Sequence, residues 1–284
     1  MNTGDEATAA TESPVALTNE TGREPPPWGD DSLSELLTAA DRNARVTAAK
    51  YPNIFELLRR VDKAFRRAEE IVVHDSAWVR VVPRFLLVRT HATFVAAIRT
   101  GMSGQVSEAC VLLRAAVEQS WYALHMAMEP KGDTRVEIWL RRNEGERAKN
   151  KCRGEFTVAK VRSTHEKLDP TTASHIHKIY EKLIDYGAHP NQMGVLSALT
   201  QKKSSTQIDY SVGLIYPTEP AVMATLQMAV GVAVGSLKIF RLIYPERFEL
   251  ASLDGEIEAL VVELNSRFTR FSSRRRSASK GQAP

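Results

Sequence analysis

Cysteine is almost missing: Cys110 and Cys152 are the two thiols in 284 residues. Neither belongs to a CxxC pair, which excludes a thiolate zinc cluster and a disulfide-stapled scaffold. They read as free thiols of a reducing compartment, although a single bridge between them stays open on sequence alone. Also missing are HExxH, Walker A and GxGxxG, the GxSxG nucleophile elbow, and the paired Glu-x-x-His segments of di-iron bundles. No metal and no cofactor is therefore expected. The opening MNTGDEATAATESP has neither a basic n-region nor an apolar h-region, so no secretory signal is expected and the location expected is cytoplasmic.

What is present is ordinary for a globular chain, with 43% apolar and 25% charged residues. Charge is unevenly placed. Residues 1–31 hold seven acids and one base, and residues 266–284 hold six bases and no acid. The two ends cancel, so the net charge of +4 is spread thinly over the middle and is a weak argument for a polyanionic partner. The first stretch ends in Pro25-Pro26-Pro27 and lacks apolar periodicity, which predicts a disordered acidic lead over 1–31. The run SSRRRSASKGQAP predicts a disordered basic tail over 272–284.

Between these ends the pattern is helical and predicts one bundle domain over 32–271, all-α, with seven to nine helices. Asp31 or Ser32 can cap a first helix, with Glu35 placed for a capping box. Ile54, Leu57, Leu58, Val61 and Phe65 recur at helical spacing after Pro52. The run Ile71–Val82 fits a strand or an irregular joint. Pro83 suits the first turn of a helix with Phe85, Val88, Ala92, Val95 and Ile98 as its apolar stripe, ended by Gly101. Ser103 is placed to cap the most regular helix, running to about Met128. A charged helix is expected over about 134–152, another near 173–186 closed by Gly187, and a polar loop over 200–218 with an extended piece at 208–216. The most apolar helix spans about 219–244. Its apolar stretch Ala221–Leu237 is short for a membrane span, and Gln227 lies within that stretch. Gly231 and Gly235 form a GxxxG pattern suited to close helix packing, in the core or in self-association through 219–244. A final amphipathic helix covers about 253–271.

Three constellations carry polar chemistry. Arg114, Glu118 and His125 follow one another at four and seven residues, which at about 100° per residue puts all three on one helix face. Facing a bundle interior they could bind an anion, hold a metal or move a proton; an ordinary i,i+4 ion pair with a separately bonded histidine fits the same spacing. Tyr186-Gly187-Ala188-His189-Pro190-Asn191 is a Gly-to-Pro corner between helices, with Gly187 expected in the left-handed conformation. It fits a binding corner holding His189 and Asn191 and a purely structural turn equally well.

Leu113-Arg114-Ala115-Ala116-Val117-Glu118-Gln119 with Tyr122-Ala123, together with the Tyr186–Asn191 motif, resembles an uncharacterised bacterial all-helical family of unknown function, over most of residues 50–265. The resemblance implies the helical fold and points to Arg114, Glu118 and His189, with no established reaction. Arg84 and His91, separated by six residues, are similar to the Arg-x4–6-His motif of HEPN ribonucleases, helical proteins that use the pair at a dimer interface. That resemblance implies His91 as acid/base and Arg84 as the phosphate clamp. Phe85 stands where the family carries a polar residue, which weakens it.

Basic stretches complete the survey. Residues 135–167 hold ten Lys or Arg against five acids, and Arg274-Arg275-Arg276 follows in the tail. A solvated face accounts for them, and so does contact with nucleic acid. The leading expectation is a cytoplasmic binding or regulatory module with a polar intra-bundle pocket drawn from Arg114, Glu118, His125, His189 and Asn191. It associates with itself through 219–244 and takes no membrane partner. The alternatives are a HEPN-like metal-independent ribonuclease, another hydrolase using Glu118 with the histidines, or a nucleic-acid-binding protein.

Overall fold

The computed structural model describes residues 28–73, 75, 77–129, 134–188, 192, 199–203, 207–215 and 219–280. Among these the architecture is all-α. The helices are α1 (Ser32–Lys50), α2 (Pro52–Val72), α3 (Trp78–Met102), α4 (Val106–Ala127), α5 (Thr134–Leu140), α6 (Glu146–Glu155), α7 (Val158–Leu168), α8 (Pro170–Leu183), α9 (Glu219–Ile243), α10 (Pro245–Leu250) and α11 (Leu253–Lys280). Without the short α5 and α10, nine helices of ten or more residues remain. One antiparallel hairpin, β1 (Leu199–Lys203) with β2 (Ile208–Val212), pairs Leu199 with Val212 and Lys203 with Ile208. It lies in the stretch expected to be loop with an extended piece.

By contact the chain divides into a short unit through Thr38 and a large unit from Ala39 onward. In the first, Asp31 is the cap of α1: its Oδ1 accepts from the amides of Leu33 and Ser34 at 2.9 and 3.1 Å.

In the second, α9 is the central helix, packed against α2, α3, α4, α8 and α11. Its two glycines set the approach of α8. A Cβ at Gly235 would stand 2.3 Å from Ile176 Cδ1, and one at Gly231 would stand 2.7 Å from Ile179 Cδ1. The GxxxG face is thus filled by the chain's own α8. Two helices, Val79–Met102 and Glu219–Ile243, are long and apolar enough to cross a membrane by length and composition; the second has 78% of its apolar window buried inside the chain.

α2 turns Ile54, Leu57, Leu58, Val61, Phe65, Ala68 and Val72 inward as its periodicity predicts, and α11 closes over it with Leu253, Ile257, Leu260 and Leu264. Arg60–Glu263 and Arg67–Glu256 ion pairs line that seam. The ambiguous run after Ile71 is helix through Val72, then a break, then helix again from Trp78. Pro83 therefore sits inside α3 rather than in its first turn, where it leaves the Val79 carbonyl without its i+4 amide donor. Ser103 does not cap α4. Its hydroxyl bonds the Thr100 carbonyl at 2.7 Å and Gln105 Oε1 at 3.0 Å, and the left-handed turn residue is Gly104 at φ 95°. Ser103 thus closes α3 instead of opening α4, and Gly101 serves a different end: a Cβ there would meet Thr225 Cγ2 at 3.2 Å.

The expected charged helix over 134–152 is two helices. α5 passes into a 3-10 turn, Arg141–Asn143, and Gly145 at φ 128° resets the chain before α6. α8 begins earlier than its apolar pattern, at Pro170, because Asp169 caps it by accepting from the Thr172 amide at 3.0 Å. It continues past Leu183 as a π-turn, Ile184–Ala188. α11 runs on beyond Phe271 through the triple-arginine segment to Lys280.

The stripe expected to anchor α3 is the largest correction. Phe85, Val88 and Val95 are 56, 47 and 44% exposed, and Ala92 is exposed too. The buried face is Leu87, Thr90, His91, Phe94 and Ala97. Both sets recur at helical spacing, so periodicity alone could not choose between them; His91 is accepted on the core face because Glu69 and Asp62 of α2 bond its ring, while Thr90 bonds the Leu86 carbonyl of its own helix.

Candidate functional site

α4 and α8 meet at a polar cluster. Glu118 Oε1 accepts from Arg114 Nε at 2.8 Å, one helical turn away, and from the Tyr180 hydroxyl of α8 at 2.7 Å. The Arg114 guanidinium also lies over the Tyr180 ring, 5.7 Å from its centroid. The Arg114 and Glu118 side chains keep 25 and 32% of their exposure, so the pair opens outward. Burial and the bond to Glu118 push the Tyr180 hydroxyl up to about 12, which keeps it a proton donor at neutral pH. Burial disfavours the Arg114 cation, but its pairing with Glu118 more than compensates and its pKa is raised.

Tyr180 was not among the expected site residues. Its four-residue step from Ile176 reads as core, and its ring is indeed buried; only the fold shows its hydroxyl reaching α4.

His125 shares the helix face but not the cluster. It is 2% exposed, with Nδ1 2.7 Å from Thr164 Oγ1 of α7 and Nε2 3.2 Å from Glu155 Oε1 of α6. Arg135 Nε donates to the same Glu155 oxygen at 2.9 Å, its Nη1 donates to the His125 carbonyl at 2.8 Å, and Lys160 Nζ reaches Glu155 Oε2 at 3.0 Å. Burial opposes the Glu155 charge, yet the Lys160 and Arg135 donors overcome it and hold the carboxyl at about 2. Burial and the Arg135 charge lower the His125 pKa. Because an anionic Glu155 only accepts, the neutral ring carries its proton on Nε2 and accepts at Nδ1 from Thr164. This is a fastening of α4 to α5, α6 and α7. The expected three-residue constellation is therefore split, because residues on one α4 face meet α8 at one level and α6 and α7 at the other.

Between the two levels stands Trp121, with its ring 4.9 Å from that of Tyr180 and its Nε1 donating to His165 Nδ1 at 3.2 Å. An indole only donates, so His165 carries its proton on Nε2, and that buried nitrogen meets no hydrogen-bond partner among the described residues. Burial pushes the His165 pKa down to about 4.

His189 and Asn191 lie outside the described residues, and so does Pro190. Gly187 is described and is not left-handed. It sits in the π-turn against α4, where a Cβ would stand 2.1 Å from the Ser107 carbonyl oxygen and 3.0 Å from Cys110 Cβ. Glycine is required here for close approach of two backbones, not for a turn of unusual hand. Cys110 beneath it is buried and its thiol is pushed up to about 12, by burial first and Glu108 second, so it is not a nucleophile.

Arg84 and His91 point to different partners. Arg84 Nη1 donates to the Val73 carbonyl, and its guanidinium lies over Phe85 at 5.3 Å. His91 is held from both sides by α2: Nδ1 is 2.8 Å from Glu69 Oε1 and Nε2 is 2.8 Å from Asp62 Oδ1. Phe65 stacks on the ring at 4.9 Å. Burial opposes the cation, but Glu69 and Asp62 outweigh it and the His91 pKa is raised.

Of the ten bases in 135–167, Arg135, Arg141, Lys149, Lys160 and Arg162 make ion pairs with Glu129, Glu144, Glu146, Glu155, Glu166 or Glu181. Among the described residues no group of three or more His, Cys, Asp or Glu side chains is placed to hold a metal ion. Set against protein-family models, curated proteins and solved structures, the chain matches none. The class that the fold defines is an all-α helical bundle.

Proposed function

We propose that the chain is a binding or regulatory module, and that a small polar ligand docks at the Arg114–Glu118–Tyr180 cluster. The observation that carries this reading is the shared oxygen: Glu118 Oε1 accepts at once from Arg114 and from Tyr180, at 2.8 and 2.7 Å, across two helices. Such an arrangement holds a planar cation and a carboxylate side by side on rigid elements. It suits a ligand that brings a carboxylate or phosphate to the guanidinium and a hydrogen-bond donor to Glu118. The π-turn beside α4 adds support, since π segments concentrate at functional sites. A protonated Tyr180 favours binding over proton transfer. The ribonuclease reading has less support, because each nitrogen of His91 is already engaged by a carboxylate. A cytoplasmic setting fits two buried free thiols.

The test is calorimetry and thermal shift with amino acids, dicarboxylates and phosphate monoesters. At least one of these is expected to bind the wild type, with affinity weakened at least about tenfold in Arg114→Met and in Glu118→Gln, the loss of a charge-assisted bond. Binding that survives both substitutions, or a wild type that binds none of the panel, ends the reading.

A further inference from the structure

α5 and the 3-10 turn that follows it pack against α6 as a short helical hairpin. Val136 of α5 and Cys152 of α6 are buried and fix the hairpin to the bundle. Arg135 holds its base, bonded to Glu129, Glu155 and the His125 carbonyl. Between the two helices lies a groove of about 460 Å³, lined by Glu137, Ile138 and Arg141 from α5 and the turn and by Arg147 and Lys151 from α6. All of these but Ile138 are exposed, so the groove opens to solvent.

Its charge is of one sign and is not cancelled within the hairpin. The segment Thr134–Glu155 holds seven bases and four acids. Three of the acids are taken: Glu155 by Arg135 and Lys160, Glu146 by Lys149, and Glu144 by Arg141. Four exposed bases, Arg142, Arg147, Lys151 and Arg153, have no acid and no hydrogen-bond acceptor among the described residues. Glu137 is the one acid of the segment left open on the same terms. A groove lined by unpaired cations concentrates anions from solution.

We infer that this groove binds the sugar–phosphate backbone of a single-stranded nucleic acid. Arg147 and Lys151 stand one turn apart on one face of α6, about 6 Å along its axis. They therefore meet neighbouring phosphates of a strand laid in the groove, and Arg142 and Arg153 add to the field of the same hairpin. Ile138 offers an apolar contact to an unstacked base. A single strand enters a groove between two helices, whereas a duplex, with its bases turned inward, meets only the rim. A membrane surface fits less well, because Leu140 is the one large apolar side chain this hairpin exposes and an inserting helix needs a whole apolar face. Contacts to phosphate carry no sequence information, so the binding tolerates any base order. None of these residues belongs to the Arg114–Glu118–Tyr180 cluster, so the two readings stand or fall separately.

The test is fluorescence anisotropy of the full chain with a labelled oligouridine, from about 50 to 200 mM salt. Binding is expected at low salt, with log K falling against log salt at a slope of about −3 or steeper, four phosphates at about 0.7 each. Arg147→Ala/Lys151→Ala weakens binding at least about tenfold and flattens the slope by about 1.4, with circular dichroism unchanged. Glu137→Gln tightens binding about two- to threefold, the removal of an exposed like charge, a gain that a purely structural residue would not give. Absence of binding at the lowest salt overturns the inference. So does binding that the double variant leaves intact and that Arg274→Ala/Arg275→Ala/Arg276→Ala removes instead. Tighter binding to a duplex of the same length, or to phosphatidylserine vesicles, than to the strand overturns it as well.

Discussion

His91 and His165 are both buried, at 7 and 1% exposure, yet their surroundings drive them in opposite directions. His91 sits between α2 and α3 with a carboxylate on each nitrogen, and its pKa rises. His165 sits against α4 with an indole donor on one nitrogen and, among the described residues, no partner on the other, and its pKa falls to about 4. Burial acts against the charged ring in both. The difference is therefore made by the charges that flank the ring, and depth alone does not predict the sign. The α2–α3 contact at His91 and the α4–α7 contact at His165 are thus stabilised in different pH ranges.

For His165 the folded pKa lies below the unfolded value of 6.5. Its contribution is fully present above about pH 6.5 and is lost as pH falls toward 4, because the unfolded chain takes the proton first. The shift corresponds to about 3 kcal/mol at the acid end. Urea unfolding between these pH values should show the decline in the wild type, and His165→Phe should flatten it. An acid limb of equal steepness in the variant would break the contrast between the two histidines.

For His91 the folded pKa is raised, so its contribution is full below the unfolded pKa and disappears as pH rises through the folded one. His91→Gln removes the cation between Asp62 and Glu69 and is expected to cost about 2 kcal/mol on the acid side, converging on the wild type in alkali. A loss equal at both ends of the pH range would mean that the ring acts by packing on Phe65 alone. The smallest effect sharpens the mechanism. Glu69→Gln leaves Asp62 as the one carboxylate on the ring, so the His91 titration followed by NMR should move down toward 6.5 yet stay above that of His165. An unmoved titration would remove Glu69 from the account.

Parts of this could be read from the chain. The α2 stripe from Ile54 to Phe65 and the apolar run of α9 each have one face or region that can only be buried, and both are. The Arg114–Glu118 pair follows from i,i+4 spacing within a single helix. Other parts could not. α3 has apolar residues on two arcs, and the arc with His91 and Thr90 became the core because Glu69 and Asp62 of α2 satisfy the histidine and the Leu86 carbonyl satisfies the threonine. His125 shares a face with Glu118 but lies about two turns along, which is far enough for a different helix to meet it.

Local chemistry was sufficient to set most of the helices and the Asp31 and Asp169 sites that serve as caps. These depend on neighbours within a few residues, so spacing along the chain carries them. Which polar groups share an oxygen, which histidine holds a proton, why Gly187 must be glycine and which face of α3 stays open depend on residues remote in sequence. Those were decided when α2, α7 and α8 closed on α3 and α4, because burial and charge pairing act through distance in space.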